Sequence, residues 1–419
     1  MDTPADTRRW PAVLRRHVHA GAADLEEQVD AAWRRFDTRF GRGLPRHIAA
    51  YRGHGDARGV ELLGRVLAEA PRGGPREDDD WWDNLLSTYR RFESDEVPGV
   101  EVKLRFGTAE TAVATGPEGY YSATIEPSTP LRDDCLWENA IASLADGTLA
   151  TPQPVLQVPP DARIGVISDI DDTILHSGIT DWKTAAQLTF LHNARTRKPL
   201  QGVAKLYQAL QEGPGGGAPK APIFYVSSSP WNLYDLLDDF MDLNAIPCGP
   251  VFLRDLGLDE KKFIKSAGHG HKLERAAGLI ERYPHLRWVL LGDSGQADAE
   301  LYAEAARTFG NRISAIYIRD VDPLLDSPLD KSVDAHIERV AGTSVPMLRA
   351  RDSLAMAEHA AGLGLLDAAR IVDIAAEVQR DAHRPGLGEA AARDAIESAV
   401  EDTGKGVKDA ARAVHRAAK

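Results

Sequence analysis

Cysteine is almost absent from this chain. Cys135 and Cys248 are the only two among 419 residues, and no CxxC occurs. That excludes a disulfide framework and a thiolate zinc site, and both thiols are expected to be buried as small hydrophobes. No apolar run approaches the length of a membrane span. The stretch from Met1 to His19 is polar and lacks the apolar centre of a signal peptide, so the expected compartment is the cytoplasm, with any membrane met at its surface. Positive charge is in deficit: 50 Lys and Arg stand against 63 Asp and Glu, for a net charge of −13. There is no global electrostatic case for a nucleic-acid partner. Internal repeats are lacking too.

What is present is ordinary soluble composition, 43% hydrophobic and 27% charged, in a chain long enough for two or three domains. Four regions follow from the patterning. In residues 1–45, Leu25, Val29, Trp33 and Phe36 recur at helical spacing and predict an amphipathic helix. From 46 to 160 short alternating runs are separated by Gly and Pro. Val100–Phe106 is a clean alternation, and Tyr120–Ile125 follows a Gly-Pro-Glu-Gly turn. Such runs predict a small β-sandwich or barrel. Trp81–Phe92 reads as an inserted helix behind acidic residues that suit its N-terminus. Pro159-Pro160 marks a boundary. From 161 to 366 strand and helix alternate, which predicts a doubly wound α/β domain on a parallel sheet. Residues 367–419 are Ala-rich and charged and predict a helical or disordered tail. Its Lys and Arg residues offer at most a weak contact with anionic lipid.

The most unusual stretch is Ile164-Gly165-Val166-Ile167-Ser168-Asp169-Ile170-Asp171-Asp172-Thr173. An apolar strand runs straight into several carboxylates. Desolvating one carboxylate is costly, and placing others beside it adds like-charge repulsion. A divalent cation, assigned here as Mg²⁺, resolves the conflict at the strand end where open α/β sheets place ligands. An acidic turn closing a strand is the plainer alternative. Other strand ends then carry polar residues in order. Ile223–Val226 leads to Ser227-Ser228-Ser229, Lys272 opens a helix, and Trp288–Leu291 leads to Gly292-Asp293-Ser294-Gly295-Gln296-Ala297-Asp298. Singly each is an ordinary turn, cap or solvated residue. The ordered conjunction is specific.

That set resembles the haloacid-dehalogenase-type phosphohydrolases. The segments Asp169–Ile174, Tyr225–Trp231 and Leu291–Asp298 are similar to the catalytic domain of the actin-patch phosphatidate phosphatase family. Ala299 follows Asp298 where the family pattern has proline, a departure outside the ligand set. The resemblance implies roles that phosphoester chemistry also asks for. Asp169 is expected to be the nucleophile and Asp171 the general acid and base. Asp169, the Asp171 carbonyl, Asp293 and Asp298 are expected to serve Mg²⁺, directly or through water. Ser227 is expected to hydrogen-bond the phosphoryl group and Lys272 to neutralise it. Asp172 and Thr173 shape the turn. Thr173, Ser228, Arg195 and Arg197 are expected on the substrate side.

No large independent cap fits between Ser177 and Pro222 or between Pro230 and His271. An open site suits a substrate displayed on a surface. Basic clusters at Arg195, Arg197 and Lys198, and at Lys261, Lys262 and Lys265, favour an anionic surface if both ring the site. Trp231, Trp182 and Phe190 read as core rather than acyl-chain contacts. Three readings stand after the sequence: a phosphatidate phosphatase, the same chemistry on a soluble or protein phosphomonoester, and a non-catalytic lipid- or protein-binding module.

Overall fold

The computed structural model describes residues 46–68, 97–128, 135–170, 173, 200–217, 220–254, 270–321 and 327–383. The helices expected at Leu25–Phe36 and Trp81–Phe92, and the basic end of the tail, lie outside these residues.

The first unit is one mixed β-sheet. Its long strand β3 (Gly59–Leu67) pairs along one edge with both β1 (His47–Ala50) and β2 (Gly53–Asp56). Its other edge pairs with β6 (Tyr120–Ile125). From β2 the sheet continues through parallel β8 (Ala150–Gln157) to antiparallel β7 (Trp137–Leu144), β4 (Glu101–Phe106) and β5 (Ala109–Ala114). The alternation in β4 is literal: Val102, Leu104 and Phe106 are buried while Glu101, Lys103 and Arg105 face water. These residues meet Val60, Leu62, Tyr121, Ile125 and Val155 inside the curl. The result is the barrel-like outcome, a half-barrel, rather than two stacked sheets.

The second unit is a six-stranded sheet in which every pairing is parallel. The chain enters at its centre with β9 (Ile164–Ser168) and winds outward through β10 (Ile223–Pro230) to β11 (Val251–Arg254). It returns to β12 (Arg287–Asp293) beside β9 and winds the other way through β13 (Ile313–Arg319) and β14 (Met347–Ala350). Buried on both faces, these strands are near-continuous apolar runs; all seven residues of β13 are buried. One face is covered by α1 (Val203–Glu212), α2 (Tyr234–Leu243), α6 (Ser353–Gly362) and α7 (Ile371–Ala382). The other carries α3 (Gly270–Arg282), α4 (Asp298–Phe309) and α5 (Pro328–Val340). The winding direction reverses between β9 and β12, so the crevice for a ligand lies at their carboxyl ends. Ile374 of α7 is buried in the first layer, and Asp381 accepts a hydrogen bond from the Gly202 amide, so this part of the tail packs against the sheet domain.

The corner between β1 and β2 joins the two units. Tyr51 lies in the α/β core, stacked on Trp231 (4.9 Å between centroids) and tilted on Tyr234 (4.3 Å). The Arg52 amide donates to the Tyr234 hydroxyl at 2.8 Å, and its guanidinium is paired with Asp238. On the opposite side His54 and the Tyr283 hydroxyl share a 2.6 Å hydrogen bond, and Arg282 reaches Glu61 at 3.1 Å. Cys248 lies near Arg52 in this joint, so it is half-buried rather than fully buried; Cys135 is half-buried too, and both are free thiols.

Candidate active site

Four polar side chains converge at the reversal point. Asp169 follows β9 directly, and its amide donates to the Leu291 carbonyl at 2.8 Å, which keeps it in line with the neighbouring strand. Asp293 ends β12. Its Oδ1 accepts from the amides of Gly295 (2.7 Å) and Gln296 (2.9 Å), so the carboxylate closes its own turn. That turn delivers Asp298 to the first turn of α4, where the helix dipole favours an anion. Asp298 Oδ2 accepts from the Asp293 amide at 3.2 Å. Gly292 makes this approach feasible: a Cβ there would lie 2.6 Å from the Asp298 carboxylate and side-chain carbon.

Lys272 arrives from the first turn of α3 and is only 2% exposed. Its Nζ lies 2.9 Å from Asp169 Oδ1, 2.9 Å from Asp298 Oδ1 and 3.0 Å from Gln296 Oε1. Burial works against the charged ammonium. The carboxylates of Asp169, Asp298 and Asp293 outweigh it and push the Lys272 pKa up. The amine is therefore a fixed cation at any physiological pH.

The charge balance is uneven. Asp169, Asp293 and Asp298 are all buried, with ligand atoms within 4.8 Å of one another. Among the described residues, three carboxylates face one ammonium in this desolvated pocket. That donor set, all hard oxygen, fits a divalent cation.

Ser227 is fully buried near the end of β10 and accepts a hydrogen bond from the Ser229 amide at 2.9 Å. The register pairs Tyr225 with Ser168, which places Ser227 at the same end of the sheet as Asp169, one strand over. The strand runs further than the sequence pattern indicated, with a register irregularity between Val226 and Pro230. Ser228 is half-buried beside it, and Thr173 is buried. Asp171, Arg195 and Arg197 lie outside the described residues.

Asp169, Asp293, Asp298 and Lys272 are thus brought into one cluster. Sequence reasoning quoted Gln296 within its motif without a role; it is a third oxygen partner of Lys272. It also passed over Ser168 and Tyr207, whose hydroxyls meet at 2.6 Å beside Asp169. No spacing rule links residues on a strand and a distant helix.

Comparison with known proteins bears on the same stretch. Residues 164–320 match the family model described as the catalytic domain of phosphatidate phosphatase APP1. Phosphatidate phosphatase APP1 of Saccharomyces cerevisiae is 31% identical over 249 residues, covering 57% of this chain and 40% of that protein. An uncharacterized protein of Schizosaccharomyces pombe is 27% identical over 262 residues, covering 61% of this chain and 40% of that protein. The chain thus spans about 40% of the length of each of these curated relatives. A solved carbohydrate acetylesterase from Xanthomonas citri covers 69% of this chain and 71% of its own at 9% identity, but its TM-score of 0.22 carries no argument. The parallel sheet, the ordered strand-end residues and the match over them agree: residues 164–320 of this chain are similar to the phosphatidate phosphatase APP1 catalytic domain.

Proposed function

We propose that this chain is a Mg²⁺-dependent phosphatidate phosphatase, releasing diacylglycerol and inorganic phosphate. The observation that supports it most is the coincidence of the family match with a buried group of three carboxylates around one ammonium. The yeast relative, named as a phosphatidate phosphatase, suggests the substrate. Asp169, Asp293 and Asp298, with the Asp171 carbonyl, would hold the ion, which when bound neutralises phosphoryl oxygens and aligns the ester.

The remaining steps belong to side chains of this protein. An Asp169 oxygen attacks phosphorus, the bond to the lipid oxygen breaks, and an aspartyl-phosphate forms. Asp171 gives its proton to the leaving alkoxide. It then takes one from the water that hydrolyses the aspartyl-phosphate and restores Asp169. Ser227 donates to a phosphoryl oxygen. Lys272 offsets charge on Asp169 and on the phosphoryl group, and its raised pKa keeps it cationic throughout. Thr173 and Ser228 stand on the substrate side, as do Arg195 and Arg197 in this reading. Among the described residues no helix is long and apolar enough to cross a membrane. The lipid would be met at an anionic surface.

The test is phosphate release by the purified protein from phosphatidate in mixed micelles, run beside soluble phosphomonoesters. Mg²⁺-dependent release from the lipid is expected, with Asp169→Asn abolishing turnover while the melting temperature holds. Activity confined to soluble esters would move the assignment to the second reading. Unchanged activity in Asp169→Asn would remove the mechanism.

A further inference from the structure

Two buried hydroxyls behind the nucleophile have no part in the mechanism above. Ser168 is the last residue of β9 and Tyr207 lies on α1, and both are fully buried. Their oxygens are 2.6 Å apart, and the Ser168 hydroxyl donates to the Asp169 carbonyl at 2.6 Å. The serine proton is committed to that carbonyl, so the bond between the hydroxyls takes its proton from Tyr207. The chain runs one way, from Tyr207 O–H to Ser168 Oγ and from Ser168 O–H to Asp169 C=O. Burial pushes the Tyr207 pKa up, which keeps its proton in place. Tyr225, 6.4 Å away and nearly parallel, fixes the ring from one side.

The consequence lies in the backbone of Asp169. Its amide is held by the Leu291 carbonyl at 2.8 Å. Its carbonyl is held by Ser168. With the peptide planes on both sides of its Cα fixed, φ and ψ are fixed, and with them the direction of the Cα–Cβ bond. The carboxylate is therefore aimed before any substrate arrives. A misplacement of about 1 Å at a reacting group can cost about a hundredfold in rate.

We propose that Tyr207 and Ser168 form a positioning relay that aims the Asp169 carboxylate by holding the carbonyl of its own residue. This rests on the reading of Asp169 as nucleophile. The two residues touch neither substrate nor ion; they act through the backbone of Asp169.

The test is a double-mutant cycle of Ser168→Ala, Tyr207→Phe and the pair, read as kcat, KM and melting temperature, with Mn²⁺ affinity measured by calorimetry. Ser168→Ala is expected to lower kcat by about tenfold to a hundredfold with KM within about twofold. Tyr207→Phe should lower it less. The double variant should be no slower than Ser168→Ala, because the relay is already cut. Stability should behave differently. Ser168→Ala leaves the tyrosine hydroxyl buried without an acceptor, and the double variant removes that hydroxyl, so it should melt higher than Ser168→Ala without regaining rate. A purely structural role predicts that rate recovers with stability. That result, multiplicative losses of kcat, or kcat within about twofold in both single variants would overturn the relay. If the wild-type protein does not turn over phosphatidate or soluble esters, the functional reading falls and the relay is judged on Mn²⁺. Weaker binding in Ser168→Ala supports it, and equal titrations in all four proteins overturn it.

Discussion

Both sheets bury polar side chains, and they treat them in opposite ways. In the curled sheet the buried groups are neutral and end in hydrogen bonds within their own neighbourhood. Gln153 donates to the carbonyls of Tyr51 and Leu63 at 2.8 Å and accepts from Tyr121 at 3.2 Å. Thr115 donates to Val97 and accepts from Val100. At the carboxyl edge of the parallel sheet the described residues bury three carboxylates on one lysine, which no stability argument favours. The difference locates the chemistry. A buried polar group whose partners balance it holds the fold, whereas buried charge in excess marks the place that a substrate or ion completes.

Removing the ammonium that the described residues bring to these carboxylates should exaggerate that imbalance. Lys272→Met keeps most of the volume but leaves Asp169, Asp293 and Asp298 without their ammonium. Turnover is expected to fall by about a thousandfold or more, and the ion-free protein to lose about 3–5 kcal/mol, the usual cost of stranding a buried charge. Added Mg²⁺ should raise the melting temperature of the variant more than that of the wild type, since the ion takes over the neutralising role. Thermal melts with and without Mg²⁺ check this. Equal ion-induced shifts in the two proteins would mean that the carboxylates do not form the metal site.

The joint between the sheets is where the contrast can be blurred. Tyr51 belongs to the curled sheet, yet it stacks on Trp231, four residues beyond Ser227. Tyr51→Ala should cost about 3 kcal/mol through the cavity it leaves. It should also lower kcat, because the chain carrying Ser227 loses its backing. Tyr51→Phe keeps the ring and should recover most of both. Urea titration beside phosphate-release kinetics separates the effects. If stability falls and kcat does not, the curled sheet supports the fold without shaping the site.

How much of this was legible depended on whether the signal was local. The parallel strands read directly, because burial on both faces demands continuous apolar runs such as Val289–Leu291 and Ile223–Val226. Asp169 and Asp293 were legible because carboxylates contradict the apolar runs they terminate, and Asp298 because it closes the motif that Asp293 opens. The strand β2, Gly-His-Gly-Asp, offers no apolar alternation, and it is extended because β3 and β8 lie on either side of it. Helix α5 was missed despite a local signature. Ser327 accepts from the Asp330 amide and Asp330 from the Ser327 amide, a capping box with aspartate in the glutamate position. The Ser168–Tyr207 pair could not be read at all, because only packing of α1 against β9 brings the two together.

The smallest expected effect tests the neutral side of the comparison. His54 is buried in the joint against Tyr283, Phe224 and Phe252. Burial and then the neighbouring Arg282 lower its pKa from 6.5 to about 3. Glu61 lies 3.7 Å from its Nε2, which taken alone suggests an ion pair. Arg282 already holds Glu61 at 3.1 Å, so the neutral imidazole is the consistent state. The unfolded chain then takes up a proton near pH 6.5 that the folded protein refuses until about pH 3. Stability contributed by the neutral form is complete above pH 6.5 and is lost as pH falls towards 3, by about 1.4 kcal/mol for each unit. His54→Gln removes this titration and should flatten the acid limb relative to the wild type. Urea midpoints between pH 7 and pH 5 measure it. Parallel acid limbs in the two proteins would show that His54 is protonated in the folded state. Buried charge would then not be confined to the parallel sheet.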